Sequence, residues 1–143
     1  MARRSREEHA AAAEIGKLPK PKNAKRRTNC ELDLFTFLVE YFPNSTGLKP
    51  LSKYHRLIIG FLQQCILFGG LFAQAIFRGF AKTTIGERAV LWAALYGHRK
   101  GIVLFAVNKG MAEDMSDSIT MELPENAELA AGFPDACLPF RAL

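Results

Sequence analysis

Apolar positions along this chain fall into two kinds, helically spaced and continuous. Leu32, Phe35, Leu38, Val39 and Phe42 share one helical face, which predicts a helix packed on a core, with Thr28 or Asn29 as N-cap, Glu31 in the first turn and Pro43 as its stop. Asn44-Ser45-Thr46-Gly47 reads as a turn, and residues 51–68 as a second helix capped by Ser52 and broken by Gly69-Gly70. Residues 71–77 and 102–107 are apolar without alternation, as strands covered on both faces are. Between them Ile85, Ala89, Trp92 and Ala93 recur with helical spacing and Gly97 offers a stop, with Trp92 read as core. Strand, helix, strand makes a βαβ unit, so the expected fold class is α/β, a parallel sheet flanked by helices. Asn108 then caps a helix to residue 123, with Ala112, Met115 and Ile119 inward and Glu113, Asp114, Asp117 and Glu122 facing water. A short helix over 125–131 and an extended end over 138–143 follow.

The chemistry gathers where the first apolar run meets the helix, at Arg78-Gly79-Phe80-Ala81-Lys82-Thr83-Thr84. A helix N-terminus presents unpaired N–H groups and the positive end of its dipole, so it binds phosphate through backbone. Lys82 would neutralise the β and γ phosphates of ATP, the Thr83 hydroxyl would ligate Mg²⁺, and amides from Gly79 to Thr84 would cradle the anion. The loop departs from the standard pattern G-x-x-x-x-G-K-[ST], because Ile76 and Ala81 stand at its two glycine positions. The plain alternative is a basic loop joining two elements.

Charge divides the chain unevenly. Of 19 Lys and Arg against 14 Asp and Glu, nine basic and three acidic residues lie within 1–27, leaving ten and eleven for the rest. Residues 7–15 would suit a short alanine-rich helix, but this arm holds too little apolar surface to fold, so it reads as largely disordered when free, lying on DNA phosphates, docking a partner or simply solvated. A second alternative rests on residues 57–77, 21 positions without a formal charge, the length of a membrane span. Gln63, Gln64, Gln74 and the glycine pair favour splitting that run into a helix and a strand. Cys30, Cys65 and Cys137 lack C-x-x-C spacing and the three histidines are scattered, which suggests no metal cluster and fits a reducing cytoplasm.

Phe-Arg-Gly-Phe-Ala-Lys-Thr-Thr resembles the deviant Walker A loop of phage terminase large subunits, with Arg78 four residues before Lys82 and a small residue, Ala81, directly before it. The likeness runs from about Thr28 through Pro50-Leu51-Ser52-Lys53-Tyr54-His55 to Phe133-Pro134-Asp135 and Pro139-Phe140-Arg141-Ala142-Leu143; Phe77 departs from it, standing where proline is expected. The resemblance implies a P-loop ATPase domain over 28–143 behind a basic arm over 1–27. It implies that Arg78 reaches the γ-phosphate and stabilises transition-state charge, and that Tyr54, His55 and Gln63 or Gln64 lie where the adenine is held. It implies double-stranded DNA, a terminase small subunit and a portal protein as partners, in a bacterial host cytoplasm.

Residues 107–108 read Val-Asn where a Walker B strand of that family would end in aspartate and glutamate. The chain is therefore expected to be the front part of the motor ATPase, without Walker B and nuclease residues. Alone it would bind nucleotide weakly, not hydrolyse it, and expose an apolar sheet edge that limits solubility.

Overall fold

In the computed structural model, residues 19–43 and 51–141 are described. The expected helix over 7–15, the turn over 44–47, most of the basic arm and the last two residues lie outside them. All seven regular elements among the described residues are helices: α1 Ala24–Asn29, α2 Leu34–Tyr41, α3 Lys53–Phe68, α4 Lys82–Leu95, α5 Lys109–Glu125, α6 Ala127–Gly132 and α7 Pro134–Arg141.

The parallel sheet is not there, and the α/β P-loop fold expected from the two apolar runs is overturned. Residues 71–77 and 102–107 have no strand pairing. A helix satisfies its N–H and C=O groups within its own segment, whereas a strand needs a neighbour to do so, and neither run has one. No layer covers them either, since Leu71, Phe77, Val103, Phe105 and Val107 are all exposed. Apolar content alone cannot build a strand.

Local signals placed three helices well. Ser52 caps α3 by accepting the His55 amide, and Gly69 ends that helix at φ 81. The uncharged run over 57–77 thus divides at the glycine pair, and among the described residues no helix is long and apolar enough to cross a membrane. Asn108 caps α5 by accepting the Met111 amide, and α4 ends at Tyr96 and Gly97, the latter at φ 68.

Elsewhere the expectations shift. The cap of α2 is Asp33, not Thr28 or Asn29, so its buried face is Leu34, Phe37, Leu38 and Tyr41, while Leu32 and Val39 turn outward. Gln63 of α3 supplies a second acceptor to that helix start, 2.8 Å from the Leu34 amide nitrogen. Regular structure also reaches into the stretch read as the basic arm. Arg26 of α1 pairs with Glu128 at 2.6 Å and lies over the Tyr41 ring, and Arg27 pairs with Asp135 at 3.1 Å over Phe133. The end expected to be extended is helix α7 up to Arg141. Glu113, Asp114 and Asp117 face water as expected, but Glu122 turns inward to Arg88.

The core lies where α2, α4, α6 and α7 meet: Phe37, Tyr41, Tyr96 and Phe133 pack edge to face or tilted, beside the fully buried Trp92. Burial raises the Cys30 thiol from its ordinary 9.0 to about 11, with Glu40 adding to the rise and Arg26 opposing it. Burial likewise raises Tyr96, Tyr41 and Cys137. Each such group keeps, when folded, a proton that the unfolded chain releases earlier. Its stabilisation is whole below the unfolded value and is lost as pH rises through the folded one. The urea midpoint followed by circular dichroism is therefore expected to fall from pH 9.0 to about 11, and to fall less steeply in Cys30→Ala; a level profile across that window would contradict the assignment.

Candidate functional site

Helix α4 begins at Lys82, the residue expected to meet phosphate. No side chain caps its N-terminus and its first turn holds no acid. The residue in the cap position, Ala81, adopts the left-handed conformation at φ 52 and ψ 23, and among the described residues it alone does so without being glycine. Left-handed backbone costs an L-residue roughly 1–2 kcal/mol. Gly79 is also left-handed, at φ 85, and a Cβ built there would meet nothing within 4 Å. A larger residue at 79 would thus be opposed by backbone strain and not by a clash.

The side chains fit an anion. Arg78, Lys82 and Thr83 are exposed and Thr84 is half-buried. Among the described residues neither Arg78 nor Lys82 has a carboxylate partner, the ion pairs being those of Arg26, Arg27, Arg88 and Lys109. The Ile85 amide returns to the Ala81 carbonyl at 2.9 Å, so the amides ahead of it in the first turn carry no intrahelical bond. The loop and the helix start of the expected site are therefore present, and the strand that should lead into them is not.

Beside the loop lies an apolar groove of about 350 Å³, walled by Tyr54, Leu57 and Phe61 of α3 and by Gln74, Phe77 and Phe80. Tyr54 lines it. His55 does not line it, because its ring is stacked on Phe80, with centroids 4.0 Å apart and planes 4° apart. Gln63 is committed to the Leu34 amide, and Gln64 is exposed. Phe61 was not picked out from sequence, and Phe77 only as a departure from the resembled loop, because an aromatic inside an apolar run reads as core.

For a metal the donor set is thin. Among the described residues no three His, Cys, Asp or Glu gather as a cation would require. Asn108 is held by its own helix as a cap, and no carboxylate directly follows Val107 in sequence. A divalent ion at the loop would meet the Thr83 hydroxyl and the phosphates that carry it. No family model matches the chain, and no curated protein or solved structure matches it either.

Proposed function

We propose that the chain binds the phosphates of ATP at residues 78–84, as the ATP-binding part of a phage or prophage terminase large subunit. The observation that carries this reading is the left-handed Ala81 directly before Lys82 at an uncapped helix N-terminus. Strained backbone persists where its surroundings over-determine it, and such places cluster at ligand clamps. Arg78 and Lys82, unpaired among the described residues, the first-turn amides and the adjoining groove agree with a polyphosphate carrying an aromatic base. Mg²⁺ would arrive with the nucleotide and be met by Thr83. In the packaging motor that the loop resembles, Arg78 would lie against the γ-phosphate, and DNA, the small subunit and the portal would be the partners.

Hydrolysis is not part of the proposal for this chain. Phosphoryl transfer depends on groups that position water and metal, and Asn108 with no neighbouring carboxylate supplies neither. Titration with Mg-ATP is expected to give weak, saturable binding without phosphate release. Lys82→Ala should weaken it about 10- to 100-fold, the worth of one charge-assisted hydrogen bond. Binding that Lys82→Ala leaves untouched would refute the site. Turnover lost in Lys82→Ala would refute the claim that the chain does not hydrolyse ATP.

A further inference from the structure

We infer that His55 is a positioning residue for the loop, holding Phe80 and through it the left-handed turn ahead of Lys82. Sequence alone offers His55 as a nucleotide contact, and the geometry assigns it otherwise. Its Nδ1 lies 3.1 Å from the Ser52 backbone nitrogen, which can only donate, and 2.8 Å from Ser52 Oγ. The His55 amide in turn donates to Ser52 Oγ at 3.5 Å. These bonds form a capping box in which histidine takes the place usually held by Glu or Gln. One consequence is mechanical: with Nδ1 committed to the cap, the imidazole cannot turn about its own axis without breaking the start of α3.

The fixed ring is one jaw of a clamp. Phe80 stacks on it in parallel, and Phe77 meets Phe80 edge to face at 4.9 Å. Phe80 is only 9% exposed in a loop whose neighbours on both sides, Arg78 and Gly79 before it and Lys82 and Thr83 after it, are exposed. It is flanked by the two left-handed residues, Gly79 and Ala81. A turn with a strained alanine in it reverts to ordinary backbone unless something holds it, and the clamped Phe80 is what holds it. Release of His55 would let Phe80 swing out, Ala81 relax and the first-turn amides of α4 lose their common direction. The N-terminus of α3 is in this way coupled to the start of α4. Its effect on phosphate binding rests on the reading of residues 78–84 given above, whereas the coupling itself does not.

The two jobs of His55 separate by substitution. His55→Gln restores the acceptor of a Ser-x-x-Gln capping box and removes the ring. His55→Phe keeps a ring and removes the acceptor. Amide hydrogen exchange in the full chain reads both ends, through Arg56, whose amide is bonded to the Ser52 carbonyl, and Ile85, whose amide is bonded to the Ala81 carbonyl. In His55→Gln the Arg56 amide should stay as protected as in the parent while the Ile85 amide exchanges about two- to tenfold faster, the worth of an aromatic pair. In His55→Phe a ring remains but nothing anchors it to the cap, so Arg56 should exchange faster and Ile85 should also exchange faster than in the parent, though less so than in His55→Gln. Mg-ATP titration of the same proteins should follow Ile85 and not Arg56. If His55→Gln leaves Ile85 unchanged, or if both variants loosen Ile85 equally, His55 does not position the loop. Should the parent fail to bind Mg-ATP at all, the nucleotide reading falls while the exchange pattern still decides the coupling.

Discussion

Trp92→Ala is expected to leave the chain largely unfolded at room temperature. Trp92 is fully buried in α4, 4.5 Å from the His98 ring and 6.4 Å from the Tyr96 ring between centroids. Cutting a buried tryptophan to alanine costs about 3–5 kcal/mol through lost transfer energy and the cavity left behind. A second cost comes from the indole N–H, which donates to the Cys30 carbonyl at 2.8 Å. Without it that carbonyl keeps only a long bond from the Asp33 amide at 3.4 Å. An under-satisfied buried acceptor adds roughly 1–3 kcal/mol. Together these approach the whole stability of a small domain, about 5–15 kcal/mol. The position also matters, because this bond ties α4 to the link between α1 and α2, while just past α4 the Tyr96 hydroxyl donates to the Arg27 carbonyl of α1 at 2.6 Å and His98 Nε2 lies 2.7 Å from the Glu31 carbonyl in that link. Far-UV circular dichroism with urea titration measures the effect. Trp92→Phe, which keeps most of the volume but not the N–H, should lose about 1–3 kcal/mol and remain folded. An unchanged urea midpoint in Trp92→Ala would show that the core is not centred on this residue.

Sequence reading succeeded where the deciding chemistry is local. Ser52, Gly69, Gly97 and Asn108 act within one turn of themselves, and the ends of α3, α4 and α5 lie close to where those residues put them. It failed where the deciding partner is far away. Asp33 and Thr28 are both acceptable caps on local grounds, and the choice is reinforced by Gln63, 29 residues on, which reaches the Leu34 amide. Arg26 and Arg27 count as arm charge until Glu128 and Asp135 are seen beside them, 102 and 108 residues away. The apolar runs show the same limit most clearly. Over 102–107 exposure follows a period of two, with Ile102 and Leu104 at 38% against Val103 at 74% and Phe105 and Val107 at 90%. That is the periodicity of extended backbone. Composition identified a chain segment suited to a strand, but a strand exists only with a neighbour, and composition cannot provide one.

The site was legible in halves for the same reason. Helix start, glycine, lysine and hydroxyl are fixed by spacing along the chain, and α4 does begin at Lys82 behind a left-handed turn. What lies beside them depends on packing. His55 was expected against the nucleotide and lies against Phe80, and Gln63 was offered as a base contact and is spent on a helix end. The one signal that could have corrected the histidine was in view, since Ser52-x-x-His55 has the spacing of a capping box.

The last large effect concerns a pair that charge counting would have placed in water. Arg88 of α4 and Glu122 of α5 meet at 2.5 Å with side chains 7% and 18% exposed, and the guanidinium lies over the Phe42 ring. Arg88 Nε and Nη1 have no hydrogen-bond partner among the described residues. Glu122 is better served, since it also accepts from the Asn126 side-chain amide at 3.0 Å. The two halves are therefore unequal. Glu122→Ala strands an almost fully buried cation whose remaining N–H groups are already unmatched, and should cost about 3–5 kcal/mol. Arg88→Met removes the buried charge, fills most of its volume with an apolar chain against Phe42 and leaves Glu122 with Asn126 and a path to solvent, so it should cost clearly less. The double change Arg88→Met with Glu122→Leu should recover most of the loss in Glu122→Ala, because a buried ion pair replaced by packed apolar groups is often neutral or better. Urea midpoints of the three proteins test this order. Equal losses in the two single variants, with no recovery in the double, would mean that the pair holds α4 to α5 by its attraction and not merely by avoiding a stranded charge.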